Sequence, residues 1–232
     1  MKNLIFFDTE TTQKTNSRLV QLAILVDCVG GPVKEMFFKP AEPICIEAME
    51  VHGITEEQVK DCEPVDPEKL QPLFTNMIAV AHNAPFDVAV MTREGVKVEE
   101  YIDTLKVAQH LLPELPAHRL QYLRYALNLQ TGEESTAHDA KGDVEVLIAL
   151  YHYLRNKLMY DMQISDEAAR EKMLELTHQK TILKKLPFGK FKDQLFSDVA
   201  KTLVGREYFR WLRGQSELGE DLKNTLDYYL TK

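Results

Sequence analysis

The sequence predicts an α/β fold in which helices flank a mixed β-sheet. Short apolar, β-rich segments open the chain, a further strand follows among helical segments, and one long segment repeats apolar residues at helical spacing. The chain has 232 residues, of which 44% are hydrophobic and 28% charged. This size and composition fit one globular domain with a small appendage, and they exclude a wholly disordered or fibrous chain.

Four apolar segments predict the strands of the sheet, at residues 3–7, 19–29, 33–39 and 78–81. The Gly30-Gly31-Pro32 break favours a hairpin between the second and third segments, so the first three form a meander. The fourth lies between helical segments, which makes the sheet mixed.

The helices are predicted from apolar spacing, capping residues and breakers. Thr55 and Gln58 form a capping box, Pro85 stands near the start of a helix, and Ser165 caps another. The predicted helical segments are residues 46–51, a short helix after 55, 67–77, a helix from 84, 104–112, 119–127, 137–157 and 166–178.

The last part of the chain differs in charge and composition. Residues 180–232 hold 11 basic and 7 acidic residues, a net +4, which leaves −12 on the rest of the chain because the total is −8. We expect residues 1–160 to form the main domain, 161–180 a helical linker, and 181–232 a small basic, aromatic-rich α+β extension, the C-terminal module. Within it, residues 186–191 predict a turn or hairpin, and 207–213 and 221–230 two helices.

Several classes of protein are disfavoured by simple features. No apolar run approaches the roughly 18 residues of a membrane span, and the first run, residues 4–7, is too short for a signal peptide. We therefore expect a cytoplasmic protein without a membrane partner. Cys28, Cys45 and Cys62 form no CxxC pair, which argues against disulfides and against structural zinc.

Candidate metal ligands occur at the ends of two predicted strands. Asp8 and Glu10 lie two residues apart, so an extended backbone projects both carboxylates from one face. Asp87 falls in the first turn of a helix that follows a strand, where negative charge is favoured. Burying such carboxylates together requires a cation, and oxygen ligands suit Mg²⁺ or Mn²⁺.

His138 and Asp143 complete the candidate site. Their separation of five residues would place them about 140° apart on a continuous helix. We therefore place Asp143 in the first turns of the long helix and His138 on the segment entering it, where a histidine acts as general base on a water. Each element alone has an ordinary structural explanation, so the prediction depends on the whole set.

Five motifs then appear in order: Phe7-Asp8-Thr9-Glu10-Thr11-Thr12, Val51-His52-Gly53-Ile54-Thr55, Ala81-His82-Asn83-Ala84-Pro85-Phe86-Asp87, Asp103-Thr104 and His138-Asp139-Ala140-Lys141-Gly142-Asp143. This order resembles the DEDD-type 3'→5' exonucleases, the group of the proofreading epsilon subunit of bacterial DNA polymerase III. The histidine five residues before the last aspartate is similar to the DEDDh branch. The resemblance spans roughly residues 3–155; Gln13, where many members have Gly, departs from it.

The resemblance implies a ribonuclease H-like fold and hydrolysis that depends on two Mg²⁺ or Mn²⁺ ions in the active site. Asp8, Glu10, Asp87 and Asp143 would hold the ions, and His138 would take a proton from water. The product would be a 5'-mononucleotide released from a 3' end.

The resemblance also implies substrate contacts at Thr9, Glu10, Thr11, His52, Asn83 and His138. Alternatively, His52 only closes its short helix and Asn83 only caps the helix of Asp87. His82 and Asp103 are expected to be structural, and Phe86 to belong to the core.

The C-terminal module resembles the extension of the exodeoxyribonuclease X subgroup, through Pro187-Phe188-Gly189-Lys190-Phe191 and Tyr208-Phe209-Arg210-Trp211-Leu212. We expect its aromatic residues to form its own core. Its basic residues, with DNA backbone contact expected at Lys190, Lys192, Arg210 and Arg213, either grip phosphates or are simply solvated.

The favoured function is therefore a stand-alone exodeoxyribonuclease that acts on single-stranded 3' ends and, as an open possibility, on duplex ends. RNA 3'-end trimming is an alternative, because nothing in residues 1–157 decides the sugar. A non-catalytic module that binds a polymerase or a repair partner is another, and a homodimer is also open.

Overall fold

The computed structural model describes residues 2–26, 32–131, 140–215 and 218–232. Five strands form one sheet in the order β3-β2-β1-β4-β5. They are β1 (Asn3–Thr11), β2 (Leu19–Val26), β3 (Lys34–Phe37), β4 (Met77–Ala81) and β5 (Tyr101–Asp103). β2 pairs antiparallel with β1 and β3, whereas β4 pairs parallel with β1 and β5. The predicted meander and mixed sheet are confirmed.

The helices are α1 (Ile46–His52), α2 (Glu56–Val59), α3 (Pro67–Phe74), α4 (Ala84–Arg93), α5 (Thr104–Leu111), α6 (Leu120–Ala126), α7 (Ala140–Met162), α8 (Asp166–His178), α9 (Phe196–Val199), α10 (Leu203–Arg213) and α11 (Glu220–Thr231). No helix within the described ranges is long and apolar enough to cross a membrane.

The sheet is buried on both faces because β1 is apolar at each position from Leu4 to Phe7. Leu4 and Phe6 point to one face, where Phe6 contacts Tyr151 of α7 with 5.2 Å between ring centroids. Phe7 points to the other face and packs edge-on against Phe74 of α3 at 5.3 Å. Because side chains alternate along β1, α7 packs on one face of the sheet, and α3 and α4 pack on the other.

Several predicted boundaries were wrong. β1 continues to Thr11, since it pairs with β2 beyond Phe7 and shifts register only between Glu10 and Thr11. α3 ends at Phe74 because Thr75 leaves the helical region and Met77 already pairs with Asn3. β5 and α9 were not predicted. Both are short, at three and four residues, and no periodicity develops over such lengths.

The C-terminal module has its own small core, in which Phe196 and Phe209 are fully buried. α10 begins at Leu203, earlier than predicted, because the Thr202 hydroxyl accepts from the Gly205 amide at 3.0 Å. The expected turn at 186–191 is closed by an antiparallel bridge between Lys185 and Leu195.

The module packs against the rest of the chain, which we call the sheet domain (the described residues up to 178). Asp221 of α11 connects the module to the sheet domain. Its carboxylate pairs with Lys106 of α5 and accepts a hydrogen bond from the Thr181 amide at 3.0 Å. The amide of Leu183 donates to the Thr225 hydroxyl at 2.9 Å. These contacts tie the start of the module to both α5 and α11.

Candidate active site

Three carboxylates meet where β1 passes the start of α7. Asp8, Glu10 and Asp143 each offer one oxygen, and these oxygens lie within 4.8 Å of one another. Asp8 and Glu10 share a face of β1 because strand side chains alternate. Asp143 lies in the first described turn of α7, which packs on β1. The sequence predicted this grouping although Asp8 and Asp143 lie 135 positions apart in the chain.

The cluster suits a hard divalent cation. All its donors are carboxylate oxygens, the ligands that Mg²⁺ and Mn²⁺ prefer, and soft ligands are absent from it. Three like charges at this separation repel strongly unless a cation neutralises them. The residues present therefore fit divalent metal binding.

Asp87 is not a member of the three-carboxylate group. It lies in the first turn of α4, almost fully buried, and its Oδ1 accepts from the Thr9 amide at 3.1 Å and the Thr9 hydroxyl at 2.6 Å. Burial raises the pKa of Asp87 to about 7, although the two Thr9 hydrogen bonds act against that rise. Thr9 thus joins Asp87 to the strand segment between Asp8 and Glu10.

Asp103 and Asn83 form a structural link beside this site. Asp103 Oδ1 accepts from the Leu105 amide at 3.0 Å, which caps α5, and from the Asn83 amide at 2.9 Å. Burial raises the pKa of Asp103. Asn83 occupies the N-cap position of α4 in a left-handed conformation with φ 68°, but its side chain makes no capping hydrogen bond. The capping alternative for Asn83 is therefore confirmed for its position at the start of α4, although not through a side-chain hydrogen bond.

A cavity of about 410 Å³ adjoins the cluster. Its walls include four of the predicted substrate residues, Thr9, Glu10, Thr11 and His52, together with Phe86, which was expected in the core. The cavity thus has polar groups of β1 on one side and an aromatic ring on another, a combination typical of ligand sites. Asn83 is not among its lining residues.

His52 is held in one tautomer. Its Nδ1 accepts from the Ile54 amide at 3.0 Å, so Nε2 carries the proton and donates to the Thr11 carbonyl at 3.2 Å. Burial lowers the pKa of His52, which favours this neutral form. Because it closes α1 and also ties that helix to β1, His52 fixes the wall of the cavity as well as lining it.

Gln121 was not singled out from the sequence. Gln121 lies in α6, and its Nε2 donates to Asp143 Oδ1 at a distance of 2.5 Å. The adjoining loop is held by His82, whose ring nitrogens lie 2.9 Å from Thr104 Oγ1 and 2.8 Å from the His118 carbonyl. Only the tertiary fold brings Gln121 to the cluster, since no motif marks it. The expectation that His82 is structural agrees with these contacts.

His138, expected as the general base, lies outside the described residues, as do the start of the predicted 137–157 helix and the Gly30-Gly31 break.

Comparison with known proteins identifies the family. A profile of the Exonuclease family, the RNase T group, matches residues 5–151. The chain belongs to this exonuclease family. The match contains Asp8, Glu10, Asp87 and Asp143 and ends before the C-terminal module, so the acidic site belongs to the shared enzyme domain of a nuclease.

Relatives of this exonuclease extend the comparison. Exodeoxyribonuclease 10 of Escherichia coli K12 is 29% identical over 98% of both chains. A solved exonuclease X in complex with 5' overhanging duplex DNA superposes with a TM-score of 0.59 at 26% identity, covering 75% of this chain and 99% of that one. E. coli exonuclease I with a dT13 oligonucleotide gives 0.57 at 21% identity, over 70% of this chain and 43% of that one, which shows the ribonuclease H-like fold alone.

The basic residues expected at a DNA backbone differ in their surroundings in this exonuclease. Lys190, Lys192 and Arg210 are exposed. Arg213 instead pairs with Asp227 of α11 in two parallel contacts, Nε–Oδ1 at 2.7 Å and Nη2–Oδ2 at 3.1 Å. The guanidinium of Arg213 therefore stabilises the packing of α10 on α11, and it is the least suited of the four to a phosphate.

Proposed function

We propose that this exonuclease removes 5'-mononucleotides from the 3' ends of DNA in a reaction that requires divalent metal ions. The observation that carries the proposal is the convergence of Asp8, Glu10 and Asp143 within 4.8 Å. The choice of DNA rests on the alignment with exodeoxyribonuclease 10 over nearly the whole of both chains.

Two Mg²⁺ or Mn²⁺ ions would be held by Asp8, Glu10 and Asp143. Asp87 would become a further ligand when its carboxylate approaches this cluster. Such ions, when bound, supply an activated water and stabilise charge on the reacting phosphate. Thr9 orients Asp87 through its two hydrogen bonds, and Gln121 orients Asp143. His138 would accept the proton of the attacking water.

The cavity beside the cluster would receive the terminal nucleotide. Phe86 and Val51 offer apolar surface for a base, while Thr9, Glu10 and Thr11 offer polar groups to the sugar and phosphate. His52 would act here mainly by fixing the Thr11 backbone, since both of its ring nitrogens already have partners in the chain.

The test is a time course on DNA and RNA oligonucleotides of equal sequence, labelled at the 5' end, with Mg²⁺, with Mn²⁺ and with chelator. We expect metal-dependent shortening from the 3' end of DNA, lost in Asp8→Ala and His138→Ala. Asp161→Ala, which removes an exposed carboxylate of α7 paired with Lys157, is the matched control and should remain active.

The RNA lane decides between the two sugars, and faster shortening of RNA would overturn the choice of DNA. No shortening of either polymer by a folded protein would overturn the proposed activity. Loss of activity in Asp8→Ala but not in His138→Ala would keep the metal site and reject the histidine as general base.

A further inference from the structure

The aromatic residues of the C-terminal module divide into two groups. Phe196 and Phe209 are fully buried in its core. By contrast, Trp211 is 60% exposed and Phe188 is 46% exposed. The expectation that the aromatics form the core is therefore wrong for the second group. Exposing the large indole of a protein's single tryptophan forgoes apolar burial, so a ligand for this surface is worth seeking.

Trp211 ends a row of three rings, of which the other two, Phe191 and Tyr208, are half-buried and pack against the core of the module. The centroid of Tyr208 lies 5.2 Å from that of Phe191 and 5.5 Å from that of Trp211. The turn that carries Phe191 packs closely on Tyr208, because a Cβ at Gly189 would collide with the Tyr208 hydroxyl. The row is therefore held by both the 186–194 turn and α10. We call Phe191, Tyr208 and Trp211 the aromatic row.

Some basic side chains of the module lie beside the aromatic row, whereas others make contacts within the module. Lys190 Nζ lies 5.4 Å from the Phe191 ring centroid, and Lys192 and Arg210 are exposed beside the same two elements. Arg213 is paired with Asp227, and Arg206 donates to the last carbonyls of α11. In the described part of the chain, neither Lys192 nor Arg210 takes part in a salt bridge.

We propose that the aromatic row and its flanking cations bind single-stranded DNA outside the catalytic site. Bases would stack on Trp211 and Tyr208, and backbone phosphates would meet Lys190, Lys192 and Arg210. Alternation of rings and cations is how proteins hold single strands without reading sequence. A duplex does not fit this surface, because its base faces are already stacked. The inference rests on the proposed function for the identity of the polymer.

Charge supports a polyanion as the occupant. Residues 180–232 carry a net +4 within a chain of net −8, so the module is the part that attracts phosphate. The remainder, at −12, repels a nucleic acid except at a metal-loaded site. A strand would therefore gain most by contacting both regions, one for hydrolysis and the other for affinity.

A cleft lies between the sheet domain and the first segment of the module. It has a volume of about 310 Å³ and lies between the loop after α5 and the first segment of the module, with Pro116 and His118 on one side and Lys184 and Lys185 on the other. The loop continues into α6, whose Gln121 contacts Asp143. Lys184 and Lys185 thus place two further cations of the module beside the loop that leads to α6.

The single tryptophan allows a direct test. Asp8→Ala protein in chelator, which prevents hydrolysis, is titrated with a dT oligonucleotide of about 12 nucleotides, within the site sizes of single-strand binders. Because Trp211 is the chain's one tryptophan, its emission reports this surface alone. We expect saturable quenching. An abasic oligonucleotide with the same number of phosphates should bind several-fold more weakly and leave the emission unchanged.

Two sets of variants separate the contribution of ring stacking to oligonucleotide binding from the contribution of charge. Trp211→Ala, followed by anisotropy of a labelled oligonucleotide, should weaken binding about tenfold, and Trp211→Phe should recover much of it. Tyr160→Ala, which removes a 78% exposed ring from α7, is the matched control and should bind normally. The Lys190→Ala, Lys192→Ala pair should lower the slope of log affinity against log salt by about 1.4.

Equal affinity of Trp211→Ala and parent, or oligonucleotide binding that leaves Trp211 emission unchanged, would overturn the proposal. Emission that changes with protein concentration and not with DNA would assign the row to a second copy of the chain. The readout does not involve hydrolysis. Nuclease activity in a protein whose Trp211 emission does not respond to DNA would contradict only this inference. A Trp211 response to DNA without nuclease activity would contradict only the proposed function.

Discussion

Among the described residues, the sheet domain buries carboxylates, whereas the C-terminal module buries none. The sheet domain buries Asp87 and Asp103 while its large rings, such as Phe6 and Phe7, fill the core. The module leaves Trp211, Lys190 and Lys192 exposed. Burial raises the pKa of a carboxylate unless a cation or hydrogen bonds offset it, whereas a base needs an accessible ring on which to stack.

The two regions also differ in how much holds them together. The sheet domain has a core cluster on each face of a five-stranded sheet. The module has one small cluster, closed by α9, α10 and α11. A unit of this size has little apolar burial to lose, so single changes should affect the module's stability most. A substitution in one region should therefore change the function or the stability of that region without changing the other.

The largest effect is expected from Asp143→Ala, which should abolish the chemistry of the sheet domain. Losing one of the three clustered carboxylates should lower the nuclease turnover by at least about 10³-fold, because metal-assisted stabilisation is worth several kcal/mol. Turnover is measured on a 5'-labelled oligonucleotide at saturating metal. The module should be unaffected, so Trp211 quenching by dT should persist. Activity within tenfold of the parent would remove Asp143 from the ligand set.

Gly205→Ala should break the module and spare the sheet domain. A Cβ at this buried position would collide with the Val199 carbonyl and the Thr202 hydroxyl, and backbone does not move aside cheaply. We expect about 3 kcal/mol of lost stability, seen as rapid proteolysis of the chain after residue 180 with the sheet domain protected. Gly219→Ala, where a Cβ meets nothing within 4 Å, is the control. Equal protection of both variants would contradict the packing argument.

His82 should make the sheet domain sensitive to acid. Burial lowers the pKa of His82 from 6.5 to about 4, so the fold favours the neutral ring. Its contribution is complete above pH 6.5 and is lost as pH falls through 4, a change on the order of 3 kcal/mol. Urea unfolding at pH 7 and pH 4 should show a loss of stability that is larger in the parent than in His82→Gln by this amount. Residues 180–232 contain no histidine, so the module offers no matching effect.

The sequence predicted the parts of this comparison that depend on local patterns. Alternation placed Asp8 and Glu10 on one face, and apolar spacing predicted the helix that carries Asp143. Contacts between distant segments were not predictable: Gln121 reaches Asp143 only through the packing of α6 on α7, and Arg213 meets Asp227 only once α10 and α11 associate. Composition likewise could not tell which aromatic residues of the module are buried, because burial depends on the partner helix.

Gln121→Ala should have the smallest effect and the most informative one. Gln121 touches Asp143 but is not a proposed ligand, so its loss should misorient that carboxylate and raise the metal concentration for half-maximal activity by about 10- to 100-fold. Metal titrations of the parent, of Gln121→Ala and of Gln130→Ala, an exposed glutamine after the end of α6, measure this shift.

Saturating metal should recover most of the Gln121→Ala activity if positioning is its role, and a shift equal to that of Gln130→Ala would contradict it. The variant also bears on the two regions together, because Gln121 follows the loop that lines the cleft to the module. If metal affinity falls while Trp211 quenching by dT is unchanged, the sheet domain and the module bind their ligands independently. If both fall, the loop that carries His118 couples the metal site to the strand-binding surface.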